Sequence, residues 1–347
     1  MDNSIIRAAC ALLSLFLMVS ALFFAAAVFG PMAFALLIMA IVWPLDQALR
    51  KILPRGLALI VTIFMTFTVV ITFTSLITWG GGQITHWLVQ NQGRLQDLYS
   101  FGARWLEDHD IFVIGTIAER FNVVWLIRVF QGIVVRANSL AGFTLLVFIF
   151  LAMGLLEADA FRKNLQSLDV RNEGSQWGSR LVAACGAIGA KWRRYMLMRS
   201  LASLLTGLLI WGFAFAVGLE LSAAWGVMSF ALNYIPFIGP LVATILPTLF
   251  ALAQTGSLET ALLVLMTITA IQFLIGSYLE PLFTGKALAI SPFFVVFAVF
   301  FWSFLWGLPG TVIGVPIMIA CLTICDSYPS SRWIAVLLSG REVVEGN

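Results

Sequence analysis

Two apolar runs, Leu221–Leu232 and Leu241–Ala253, flank the eight residues Asn233–Pro240, N-Y-I-P-F-I-G-P. Each run is about half the ~20 residues a helix needs to cross a bilayer. Pro236 and Pro240 lack an N–H and cannot donate an intrahelical bond, and Gly239 allows backbone angles that other residues resist. Backbone freed in this way cannot face lipid; it is buried in protein or lines a watery cavity. A second interrupted stretch, Pro292–Cys325, is broken by G-L-P-G at Gly307, Leu308, Pro309 and Gly310. Two interrupted apolar segments in one half of a chain point to a substrate pathway.

Composition fixes the solvent. Of 347 residues, 61% are hydrophobic and 11% charged, and the mean hydropathy is +0.99, against roughly 25% charged in a soluble domain. The runs are too long for barrel strands and lack their alternation. The expected class is all-α: a polytopic helical integral membrane protein with two interrupted hairpin segments. A net charge of +3 and the absence of a basic run interleaved with aromatics argue against nucleic acid. Cys10, Cys185, Cys321 and Cys325 avoid the long polar insert, so no extracytoplasmic disulfide framework is expected. His86 and His109 lie far from them, so neither a metal site nor a cofactor is expected.

In chain order the expected organisation is membrane helices in 1–79, an extracytoplasmic amphipathic helical insert in 80–138 and a membrane helix in 139–156. A basic cytoplasmic helical segment follows in 157–199, then a transport core with both broken segments in 200–325 and a cytoplasmic tail in 326–347. Within the first block, Ala8–Phe29 reads as a retained first helix, with a cleaved signal peptide as the rival. Gly30-Pro31 reads as a tight turn, Met32–Leu49 as a helix kinked or ended near Pro44, and Leu57–Trp79 as the third helix. Leu201–Leu219 and Leu258–Leu279 read as later spans. Placing the 50–55 connector, 157–199, Lys286 and both termini inside gives fifteen basic residues inside against five outside, as the positive-inside rule requires. That path closes only if each broken segment enters and returns on its own side.

The polar residues near the breaks are the candidate pathway, each with a structural alternative. Asn233 and Tyr234 end a half-helix: Asn233 presents its amide to a solute, or it is a helix C-cap. Gln272, the one strongly polar group in Ala261–Leu274, lines a path or bonds a neighbouring helix. Glu280 carries a proton or cation, or caps the interface and pairs with Lys286. Pro236, Gly239, Pro240, Gly307, Pro309 and Gly310 shape the breaks. Asp46 is expected to pair with Arg50 at i,i+4 on the surface. Cys321 and Cys325 share a helical face and read as small apolar residues.

The chain resembles the autoinducer-2 exporter (AI-2E) family of transporters, and its quorum-signal-transporting branch in particular. The resemblance begins at Asn233–Pro240. It runs through Leu279-Glu280-Pro281-Leu282, Gly285-Lys286-Ala287-Leu288, Ser291-Pro292, Phe301-Trp302 and the G-L-P-G-T-V-I-G-V-P of Gly307–Pro316 to the tail at Trp333–Ser339. It is dense over 200–340 and thin before, where Trp43-Pro44-Leu45 and Leu155-Leu156-Glu157 look similar. Phe237-Ile238 departs from the Asn-Ile common in the family, so a polar group is absent there. The resemblance implies a multi-pass helical protein of the bacterial inner membrane, and the basic-residue count places both termini in the cytoplasm. It also implies efflux of a small polar signal, sodium–proton exchange in some members, and a homo-oligomer, with pentamers expected. The residues themselves offer no Walker loop, no G-x-S-x-G, no H-E-x-x-H and no paired intramembrane carboxylates, so no enzyme is expected. The reading is an exporter of a small polar solute such as an autoinducer-2-like signal, in contact with the lipid bilayer. A cation–proton antiporter is the alternative.

Overall fold

The computed structural model describes residues 3–96, 132, 141–171, 177–279, 290–328 and 331–338. Every regular element among them is helical. They are α1 (Asn3–Phe24), α2 (Ala26–Leu49), α3 (Arg55–Gln90), α4 (Ala141–Arg171), α5 (Trp177–Ala216), α6 (Ser222–Leu232), α7 (Ile238–Thr255), α8 (Leu258–Leu274) continued by a π turn at Ile275–Leu279, α9 (Pro292–Ser327) and α10 (Arg332–Leu338). Among the described residues seven stretches are long and apolar enough to cross a membrane: α2, α3, α4, α5, α7, α8 with its π turn, and α9. The all-α polytopic class is therefore the observed one.

Several boundaries differ from the sequence expectation. The first break falls at Ala25, and the expected turn at Gly30-Pro31 is helical inside α2. Gly30 is buried, and a Cβ there would lie 3.3 Å from Phe143 and 3.9 Å from Trp306, so packing keeps this turn wound. Helix α3 runs past Trp79, through three consecutive glycines, to Gln90. Gly80 approaches Ala224 O and Met228 on α6, and Ile84, Trp87 and Leu88 are core residues. Tertiary contact outweighs the roughly 1 kcal/mol that glycine costs a helix. Helices α4 and α5 likewise carry their polar halves as continuous extensions, the latter running unbroken through Lys191, Arg193, Arg194 and Arg199. Of the expected insert, residues 80–96 are described and helical apart from the turn at Asn91, whereas 97–131 and 133–138 lie outside the described residues.

The chain forms two compact units. The first comprises Met1–Phe67, Ala141–Met196 and Lys286–Asn347; the second comprises Thr68–Leu140 and Leu197–Gly285, so α3 and α5 each contribute to both. In the first unit α2 packs lengthwise on α4 around Ala35, Val147, Leu151 and Leu155, with α9 against α2. Gly154 of α4 lies against Met39 of α2, where a Cβ would come within 2.9 Å of Met39 Sδ.

In the second unit the short α6 is the axis. It runs antiparallel to α3, with Glu220 beside Trp87 at one end and Tyr234 against Phe73 at the other. It is antiparallel to α5 as well, and α7 returns alongside it. Lipid gives no hydrophobic reward for helix association, so close approach has to hold such a bundle. Gly207 and Gly226 provide it: a Cβ on either would sit 2.8 Å from the other's carbonyl oxygen. The core of this unit is Ile84, Trp87, Ile210, Trp225, Phe250 and Ile268.

Candidate functional site

The end of α6 is dictated by Pro236. The carbonyl of Leu232 would take the N–H of residue 236, which proline lacks, and it accepts Ile235 N–H at 2.9 Å instead. The backbone then closes in a tight turn rather than an open loop. Ile238 N–H donates to Pro236 O at 2.7 Å across Phe237, whose φ of 61° and ψ of −53° define the rare form of the γ-turn. The positive φ therefore falls on Phe237 and not on Gly239, which corrects the expected role of that glycine. Gly239 is helical, in the first turn of α7, and its N–H donates to Ile235 O at 3.0 Å. A Cβ there would lie 1.9 Å from Leu232 O, so glycine is required for close approach. Pro240 also lies in the first turn of α7, where a missing N–H costs nothing.

This closure leaves polar groups without helical partners. Pro236 offers no N–H to Asn233 O, and Ile238 N–H is taken by Pro236 O. The carbonyls of Asn233 and Tyr234 consequently accept no backbone N–H in the turn. Asn233 is the C-cap of α6 and is 5% exposed. Its Nδ2 donates to Ser203 Oγ at 3.3 Å, and Tyr234 OH donates to Ser200 Oγ at 2.8 Å. One turn earlier, Ser229 Oγ is buried with no partner among the described residues. Phe73, Phe230 and Tyr234 close the outside of the turn edge to face, with centroids 5.5–5.7 Å apart. These side chains are themselves uncharged and offer hydroxyl, amide and carbonyl groups, with the buried Arg199 one residue before Ser200 on α5. The cluster can exchange hydrogen bonds with a small polar molecule, and it holds no nucleophile–base pair.

The second break behaves similarly in the other unit. Gly307 has φ 65° and ψ −142°, which only glycine adopts readily, and there the chain reverses inside α9. A Cβ on Gly310 would sit 1.8 Å from Trp302 O, and one on Gly314 would sit 2.9 Å from Ala298 O. A straight helix would hold residues 298 and 314 roughly 24 Å apart. Counted end to end α9 is long enough to span, but it is two antiparallel arms, the first about 22 Å long.

Asn233, Tyr234, Pro236, Gly239 and Pro240 thus share one turn. Gln272 lies on α8, which packs against α7; its Nε2 is buried without a partner among the described residues, just before the π turn Ile275–Leu279. Such turns recur at functional sites. Gly307, Pro309 and Gly310 belong to the other unit. Glu280 and Lys286 lie outside the described residues. Asp46 pairs with Arg50 as expected, at 2.7 Å between Nε and Oδ2, but it is fully buried rather than on the surface. The guanidinium is close without being aimed along a hydrogen bond, so this is an ion pair by proximity. Ser200, Ser203, Ser229 and Phe73 were not anticipated. Ser200 and Ser203, at i,i+3 where α5 passes from its basic to its apolar half, were the available signal. Among the described residues no group of three or more His, Cys, Asp or Glu could hold a metal.

The model of the AI-2E family transporter matches residues 12–330. The AI-2 transport protein TqsA of Escherichia coli is 36% identical over 145 residues, 42% of each chain. A Borreliella burgdorferi protein named as a candidate transport protein is 32% identical over 211 residues, 60% of this chain and 57% of its own length. These alignments therefore cover between two-fifths and three-fifths of the relatives' own lengths.

Proposed function

Because the chain belongs to the AI-2E family of transporters, we propose that it exports a small polar solute of the autoinducer-2 kind across the bacterial inner membrane. The solute would pass by the turn that joins α6 to α7. The supporting observation is the neutral hydrogen-bonding cluster of Asn233, Tyr234 and Ser229, whose free carbonyls and hydroxyl match a polyhydroxylated molecule. The similarity to an AI-2 transport protein points the same way. Helix α6, about 16 Å long, cannot cross a ~30 Å core alone, which favours a hairpin entering and leaving on one side. The antiporter reading has less support. Asp46, the buried carboxylate among the described residues, is committed to Arg50.

Uptake of autoinducer-2 into inverted vesicles tests this, with flux normalised to folded protein. The parent should accumulate the solute, Asn233→Ala should lower the rate several-fold, and an imposed proton gradient should reveal any coupling. Equal flux in the parent, the variant and empty vesicles would remove the assignment. The orientation has its own test. In a cysteine-free background, a cysteine at position 94 should label only from outside and one at 171 only from inside. The reverse pattern would invert the topology.

A further inference from the structure

Trp225, Ser229 and Asn233 stand at i, i+4 and i+8 along α6 and so share one face of it. They are 3%, 1% and 5% exposed. Side chains lean toward the helix N-terminus, which brings Ser229 over the turn that carries Trp225. Other faces of α6 are taken up by close packing: Gly226 lies against Gly207 and Trp211 of α5, and Ala224 and Met228 lie against Gly80 of α3. The Trp225 indole N–H, a donor only, is buried without a partner among the described residues, as is Ser229 Oγ. A buried tryptophan usually finds an acceptor, and others in this chain do. Trp87 Nε1 donates to Glu220 Oε2 at 2.6 Å, Trp192 Nε1 to Pro316 O at 2.7 Å and Trp306 Nε1 to Leu22 O at 3.1 Å. Trp225 also lines a cavity of about 40 Å³ between α3, α6 and α7, with Ile84, Trp87, Leu246 and Phe250 among its walls. None of the lining side chains is an acceptor. Every one of these α6 residues and cavity walls belongs to the second unit.

We propose that the solute's route continues from the α6–α7 turn along this face of α6 to the cavity, and that Trp225 is a specificity-determining residue whose indole N–H donates to an oxygen of the solute. This rests on the proposed passage of a polar solute by the turn. The order of groups along the face sets the substrate class. The carbonyls of Asn233 and Tyr234 favour hydroxyl donors. Trp225, about 12 Å farther along α6, requires an acceptor oxygen and disfavours an ammonium group, which has no lone pair to offer. The solute is therefore a hydroxylated molecule that also presents an acceptor oxygen. Concentration-dependent uptake of autoinducer-2 and its single-deoxy analogues into inverted vesicles tests this, normalised to folded protein. The parent should take up one of the analogues with a raised half-saturating concentration; equal values across the series would mean that no such bond exists. Trp225→Phe keeps an aromatic ring and removes the N–H. It should raise the half-saturating concentration for autoinducer-2 about fivefold, the loss of one neutral hydrogen bond, at an unchanged maximal rate. For the analogue lacking the oxygen that the indole meets, the difference between parent and variant should vanish, whereas a packing defect would weaken every analogue alike. Trp211→Phe, which removes an exposed indole on α5, should leave both parameters unchanged. Parent-like uptake by Trp225→Phe, or an equal loss for every analogue, overturns the role of Trp225 and leaves the transport reading standing. No uptake by the parent removes both.

Discussion

Gly239→Ala should sharply reduce the yield of folded protein. A methyl group at this position would stand 1.9 Å from the carbonyl oxygen of Leu232, where ordinary contact needs about twice that distance. The obstacle is backbone, so no rotamer change relieves it; α6 and α7 would have to separate. Alanine contributes up to about 1 kcal/mol of helix propensity over glycine, while overpacking costs about 1–3 kcal/mol and more when backbone must shift. The balance is destabilising. Gly82→Ala is the matched comparison. Gly82 is interior to α3 with nothing within 4 Å of its would-be Cβ, so propensity alone acts and the substitution should be neutral or stabilising. Detergent-solubilised yield and thermal unfolding midpoints read both. A Gly239→Ala protein as stable as the parent would mean that the α6–α7 turn is not closed as described.

Arg50→Met should be the most damaging change in the first unit. Arg50 lies between two carboxylates: Asp46 is fully buried and Asp159 is more than a third exposed. It also donates to Leu155 O at 3.2 Å, so one side chain ties the end of α2 to α4. Removing it strands a buried anion, which costs about 3–5 kcal/mol when a buried pair is broken on one side. The double variant Asp46→Leu with Arg50→Met removes both charges and should recover part of that loss, whereas Asp159→Asn alone should have a small effect because water screens it. Denaturant or thermal unfolding of the reconstituted variants distinguishes the cases. Equal stability of Arg50→Met and the parent would show that Asp46 does not need its counter-charge.

Local chemistry was enough to read the membrane class and the two breaks. Proline without an N–H ends α6 ahead of Pro236, and the left-handed backbone at Gly307 suits glycine alone. The Asp46–Arg50 pair was legible for the same reason, because i,i+4 spacing places the two on one helical face. What no local rule predicts is where a helix tolerates a breaker. Gly80 and Gly30-Pro31 stay helical because α6, Phe143 and Trp306 pack against them. The orphaned carbonyl behind Pro44 is tolerated because Arg193, over a hundred and fifty positions away in sequence, donates to it. The partner of Asn233 proved to be Ser203, a hydroxyl on another helix. Gly239 looked like a conformational hinge and is a point of close approach, since the limiting atom is the carbonyl of Leu232. The positions of proline, glycine and charge along the chain therefore determined where helices could break. Backbone approach and long-range hydrogen bonding, which exist only once the helices are packed, decided which of those breaks occur and which polar groups remain free.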